Sequence, residues 1–139
     1  MTDETNDAEP GKPRILIVSA DHDLRNVLYY IVHKQGFPVE EAENLAEALQ
    51  SARRLQPALV LLDLPLKGGP GFATLRALQE EDETRRIPVA VLCDNSPGNF
   101  QKQLVYQECN VKAALEKPFS AESLLAMLGR LLHEGPEHR

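Results

Sequence analysis

The apolar residues of this chain recur with two different periods. Short uninterrupted runs, Arg14-Ile15-Leu16-Ile17-Val18-Ser19, Ala58-Leu59-Val60-Leu61-Leu62 and Val89-Ala90-Val91-Leu92-Cys93, show no polar alternation, as expected of strands covered on both faces. Between them lie segments whose apolar residues fall three and four apart, the spacing of an amphipathic helix. Leu24, Val27, Leu28, Ile31 and Val32 form one stripe, stopped at Gly36, a residue type that ends helices. Leu45, Ala48, Leu49 and Ala52 form a second, opened by Asn44 with Glu47 three residues on, a spacing like a capping box. Pro38 to Ala42 reads as a short second strand at a sheet edge, where proline is tolerated. A third helix is predicted from Phe72 to Glu80 and a fifth strand from Val111 to Glu116. The last stripe, Leu124, Met127, Leu128, Leu131 and Leu132, follows the capping residue Ser120. The polar, glutamine-rich segment Phe100 to Glu108 is read as a further helix, anchored only by Phe100, Leu104 and Val105.

Five strands alternating with five helices predict an α/β fold with parallel strands and right-handed crossovers. The first and third strands are the most apolar and belong in the centre. That favours a flavodoxin-like three-layer sandwich, its five-stranded parallel sheet in order 2-1-3-4-5 with five helices and its switch point between strands 1 and 3. This topology gathers Ser19-Ala20-Asp21, Asp63, Cys93 and Lys117 at one edge of the sheet. Asp63 follows the third strand and precedes Leu64-Pro65-Leu66-Lys67-Gly68-Gly69-Pro70-Gly71, a loop by composition. Ligands and chemistry collect at the carboxyl ends of such strands, so Asp63 is the leading candidate residue.

Composition narrows the reading. A chain of 139 residues with 42% hydrophobic content fits one domain with a substantial core. The formal net charge of −6 argues against nucleic acid as a direct partner. No apolar run is long enough to span a bilayer, and the acidic, polar start does not resemble a signal peptide. Cys93 and Cys109 match no metal-ligand spacing. These features predict a cytoplasmic protein that engages neither nucleic acid nor membrane. Residues 1–13, with four acids and two prolines, are expected to be a disordered tail, residues 14–133 the folded domain, and residues 134–139 a polar tail.

From Arg14 to about Leu132 the chain resembles the receiver domain of two-component response regulators. The resemblance is carried by Asp63 after an apolar strand, the Gly68-Gly69-Pro70-Gly71 loop, Ile87-Pro88 before the fourth strand and Lys117-Pro118-Phe119 after the fifth. It implies that Asp63 is the phosphoacceptor, that Lys117 contacts the acyl phosphate, and that the Lys117-Pro118 bond is cis. It also implies a histidine kinase or phosphorelay protein as phosphoryl donor, magnesium as cofactor, and a signalling module rather than an enzyme. The output would then be a contact with a downstream protein. The chemistry is coherent: a carboxylate attacking a phosphoryl group needs both negative charges neutralised, and a metal with a lysine supplies this.

Several positions depart from the family's pattern. The two consecutive acids that hold magnesium are Ser19 and Ala20 here. Asp21 follows and has two readings, the N-cap of the first helix and a metal ligand. The hydroxyl residue ending strand 4 is Cys93, a weak donor at a phosphate-contacting and switch position. Asp94 stands beside it, and the aromatic switch position is Ala114. Asp63, Asp21 and Pro65 are the positions left to hold the metal. A carboxylate about 4 Å from a divalent ion contributes roughly 8 kcal/mol at an effective dielectric of 20, before desolvation removes much of it. Magnesium is therefore expected to bind weakly.

Three functions are compatible with these residues. One is a stand-alone receiver phosphorylated on Asp63. Another is a receiver-like docking module that works without phosphorylation, with Asp63 and Lys117 as a structural ion pair. The third rests on Asp21-His22-Asp23, which resembles the two-acid opening of haloacid dehalogenase-like phosphatases, although no later acidic pair or cap insertion accompanies it. Flavin mononucleotide is disfavoured, since Asp21 and Asp23 would oppose a phosphate at the first loop. The four histidines, His22, His33, His133 and His138, share no face and are expected at the surface.

Overall fold

The structure is a computed structural model that describes residues 13–63, 70–94 and 111–133. Five strands, β1 (Ile15–Val18), β2 (Val39–Ala42), β3 (Leu59–Asp63), β4 (Val89–Asp94) and β5 (Val111–Lys117), form one parallel sheet in the order β2-β1-β3-β4-β5. The order agrees with that expected from the strand composition. The helices are α1 (His22–Lys34), α2 (Leu45–Leu55), α3 (Pro70–Glu80) and α4 (Ala121–His133). The helix count is thereby corrected: four helices, not five, are present among the described residues. The helix expected at Phe100 to Glu108 lies outside them, on the segment whose apolar pattern was the sparsest. The two predicted tails lie outside them as well, save Pro13.

Both faces of the sheet are covered, which explains the unbroken apolar runs. Successive side chains of a strand point to opposite faces. Leu16, Val18, Val60, Leu62, Val89, Val91 and Cys93 point to one layer with Ala48, Ala52, Leu75 and Leu78 from α2 and α3. Ile15, Ile17, Leu59, Leu61, Ala90 and Leu92 point to the other, with Leu28 and Val32 of α1 and Leu124, Met127 and Leu128 of α4. The stripe predicted for α1 needs one correction. Val27 is 51% exposed, whereas Leu28 and Val32 are fully buried. At 3.6 residues per turn Val27 lies about 120° around the helix from the midline of that buried pair, while Arg25 lies only about 40° from it.

The start of α2 is set as the sequence predicts, whereas α3 begins at Pro70, two residues before the expected Phe72. Asn44 accepts from the Glu47 amide at 2.9 Å, and Glu47 reaches back to the Glu43 amide at 3.0 Å. At the amino edge of the sheet, Arg53 clamps Glu81 through two hydrogen bonds of 2.8 and 2.6 Å, joining α2 to the turn after α3. The guanidinium holds the Glu81 carboxyl below its usual range, chiefly through that hydrogen bond.

Candidate phosphoacceptor site

Strand register builds the site. Val18 of β1 pairs with Leu62 of β3, so the next residues, Ser19 and Asp63, stand side by side at the carboxyl edge of the sheet. On the other flank Asp63 pairs with Leu92, and Lys117 of β5 pairs with Asp94 of β4. Lys117 is therefore two strands from Asp63, a gap of about 10 Å at the usual strand spacing, which suits its long stem. The Lys117–Pro118 peptide is cis.

Asp63 is buried, 8% exposed, and both of its carboxylate oxygens are held. The Lys117 ammonium lies 2.5 Å from Oδ1. That contact is an ion pair rather than a well-aligned hydrogen bond, since Oδ1 accepts none of good geometry. The Ser19 hydroxyl donates to Oδ2 at 2.9 Å. Ser19 is itself tightly placed. Its amide donates to the Ala42 carbonyl at 3.0 Å, its Oγ accepts from the Asp21 amide at 3.1 Å, and its carbonyl accepts from Arg25 Nη1 at 2.7 Å.

Arg25 organises the turn after β1. Its side chain is only 12% exposed and also pairs with Glu41 at 3.2 Å and Glu43 at 3.8 Å. His22 brings Nδ1 within 3.3 Å of Arg25 Nη2 and Nε2 within 3.2 Å of Asn26 Nδ2. The sequence pattern did not single out Arg25. Its signal was available, however: a cation spaced three and seven residues before Leu28 and Val32, on the face turned to the core.

Of the two readings of Asp21, the cap is the one seen. Asp21 Oδ1 accepts from the amides of Asp23 and Leu24 at 3.1 and 3.2 Å, opening α1. Cys93 is fully buried in the layer shared with α2 and α3, and Ala114 packs against that layer half-buried. Pro65 lies outside the described residues. Among the described residues no three acidic, histidine or cysteine side chains come together. Among the described side chains, a cation beside Asp63 would meet a carboxylate whose oxygens are already engaged by a hydroxyl and an ammonium. That donor set does not fit a magnesium ion held through several carboxylates.

The described residues thus form a doubly wound parallel sheet with a buried, lysine-paired aspartate at its carboxyl edge. The comparisons give the family. Residues 15–129 match the response regulator receiver domain, and the chain belongs to that family. It is 31% identical over 115 residues to the phosphate regulon transcriptional regulatory protein PhoB of Escherichia coli, covering 83% of this chain and 49% of PhoB. The chain thus spans about half the length of that relative. It is 29% identical to the chemotaxis protein CheY of Bacillus subtilis, covering 86% of this chain and 98% of CheY. Among solved structures, the signal receiver domain of a histidine kinase from Syntrophus aciditrophicus superposes with a TM-score of 0.76 at 25% identity, over 91% of this chain and 95% of that one. The family acts in two-component signal transduction through protein contacts and is not a family of enzymes. No described helix is long and apolar enough to cross a membrane.

Proposed function

We propose that this chain is a receiver module that takes a phosphoryl group onto Asp63 from a histidine kinase or phosphorelay protein, and passes the signal on by contact with a downstream protein. The observation that carries the reading is the contact between Lys117 and the buried Asp63 carboxylate. Attack by a carboxylate on a phosphoryl group brings two anions together, and a lysine at hydrogen-bond range offsets that charge where it develops. Magnesium, the family's cofactor, is held weakly, because Ser19 and Ala20 stand where two acids would bind it and Asp21 is engaged as a helix cap.

The test is incubation of the full chain with a small acyl phosphate, with and without magnesium, followed by intact mass. The expected result is the mass of an added phosphoryl group on wild type, lost on treatment with hydroxylamine where Asp63 carries it, and absent from Asp63→Asn. No mass gain under any condition overturns the reading.

A second reading, a docking module that works without phosphorylation, is favoured by a specific observation. The positions that would relay a charge at Asp63 towards the β4 side carry the buried thiol of Cys93 and the methyl of Ala114, neither of which can follow a phosphoryl group as a hydroxyl and a ring would.

A further inference from the structure

We infer that Ser19 is a second phosphoacceptor in this site, with Asp63 as its general base; the inference rests on the reading of this edge as a phosphoryl-accepting centre. The geometry is that of an activated hydroxyl. A nucleophile needs a base within hydrogen-bond reach and a third group that orients the base. Ser19 Oγ lies 2.9 Å from Asp63 Oδ2, and the Lys117 ammonium holds the other oxygen of the same carboxylate.

The hydrogen-bond inventory fixes where the proton points. A serine oxygen carries one proton and two lone pairs. The Asp21 amide donates to one lone pair at 3.1 Å. The proton then goes to Asp63, since the other acceptor within range, the Asp21 carbonyl, is at 3.4 Å against 2.9 Å for the charged carboxylate. The second lone pair is left for attack. Arg25 locks this arrangement from behind through the Ser19 carbonyl. Ser19 is itself only 2% exposed, and Lys117, at 24%, is the most open side chain of the three. A phosphoryl donor therefore enters past the ammonium. The exposed methyl of Ala20 adds no charge to repel it.

The step balances with an acyl phosphate as donor. The Ser19 Oγ–P bond forms as the bond from phosphorus to the donor's acyl oxygen breaks. The electron pair of that bond leaves with the carboxylate product, and the hydroxyl proton passes to Asp63 Oδ2 and then to water. The product is a phosphate monoester, which resists hydroxylamine, whereas an aspartyl phosphate does not.

That difference supplies the test. The full chain is incubated with acetyl phosphate, treated with hydroxylamine, digested and mapped by fragmentation mass spectrometry. The inference expects a resistant phosphoryl group on Ser19 in wild type and none in Ser19→Ala. Asp63→Asn, which keeps a polar group but removes the base, should label Ser19 at least 100-fold more slowly, in line with a general base's usual share. Label only on Asp63, all of it labile, overturns the inference and leaves the proposed function standing. Resistant label that forms equally fast in Asp63→Asn overturns the role of the base. No label at all overturns both. The mapping on wild type needs no variant to fold.

Discussion

The two flanks of Asp63 are built of different materials. On the β1 side a connected polar assembly runs from Glu41 through Arg25 to the Ser19 backbone, and from the Ser19 hydroxyl to the carboxylate. On the β4 side the described side chains next to the site include the buried Cys93 and, two positions along β5's pairing, the small Ala114. Lys117 bridges the flanks from beyond β4. The contrast teaches that holding the carboxylate and transmitting its state are separable. The holding groups are dense and hydrogen-bonded; the positions where the resemblance to the family places a relay carry a thiol and a methyl packed in the apolar layer.

The largest expected effect comes from removing the group that joins the flanks. Breaking a buried ion pair by deleting one partner costs about 3–5 kcal/mol, against about 0–1 kcal/mol for an exposed pair. Lys117 is 24% exposed and Asp63 7%, so Lys117→Ala is expected to lose about 2–3 kcal/mol by this scale. Asp63→Asn is expected to lose less, because the amide still accepts from Ser19 and the ammonium can turn to water. Urea denaturation of the three proteins checks this. A Lys117→Ala midpoint equal to wild type would show that the bridge does not hold Asp63 in solution.

The β1 flank is tested next through Arg25. Hydrogen bonds to charged groups contribute about 1.5–3 kcal/mol, and a long cationic stem also covers apolar surface. Arg25→Ala is expected to destabilise by about 2 kcal/mol. Arg25→Lys should recover only part of it, since an ammonium cannot bond the Ser19 carbonyl and Glu41 as a planar fork does. Full recovery by lysine would reduce Arg25 to a point charge.

These elements also mark what the sequence made legible. The sheet order was readable because strands buried on both faces lose their polar alternation. That Asp63 and Lys117 share one edge was readable from their places at strand ends. The role of Ser19 was not, because it depends on the register that aligns Val18 with Leu62 and so brings the next two residues together. Periodicity alone reports faces, not partners across a sheet. The same limit hid Arg25, a charged residue on a face assigned by its apolar members, and placed Val27 on that face when the core there turns towards Leu28 and Val32. The fifth helix rested on three anchors in a polar segment, too few for a pattern to specify.

Ser19 also sharpens the contrast through its charge. Wild type is expected to bind magnesium weakly, with no saturation at low millimolar concentration when the amide signals of Asp63 and its neighbours are followed during titration. Ser19→Asp places a second carboxylate beside Asp63 and is expected to raise the affinity about tenfold, equivalent to about 1.4 kcal/mol after desolvation has removed most of the direct attraction. Saturation of wild type at low millimolar concentration would mean that the hydroxyl and ammonium yield to the cation.

The smallest expected effect lies on the β4 side. A switch shifts only as far as a ligand's differential affinity for its two states allows. In a responsive receiver, that difference arises when a hydroxyl at the end of strand 4 is drawn to the phosphoryl group and an aromatic side chain on strand 5 follows it. Here the first position is a thiol buried among apolar side chains, and Ala114, paired with Val91 across the ladder, has no ring to move. Changing the charge or size of residue 63 should therefore leave this flank where it is. A binding partner recovered by pull-down with the full chain is expected to bind wild type, Asp63→Ala and Asp63→Glu with affinities within a factor of a few. A change of tenfold or more, about 1.4 kcal/mol of coupling, would show that the state of Asp63 reaches the partner. The route would then run through the β1 flank, where Arg25 ties the Ser19 turn to Glu41 and Glu43. Repeating the comparison in Arg25→Ala would decide it, because coupling carried by that network should vanish with the guanidinium.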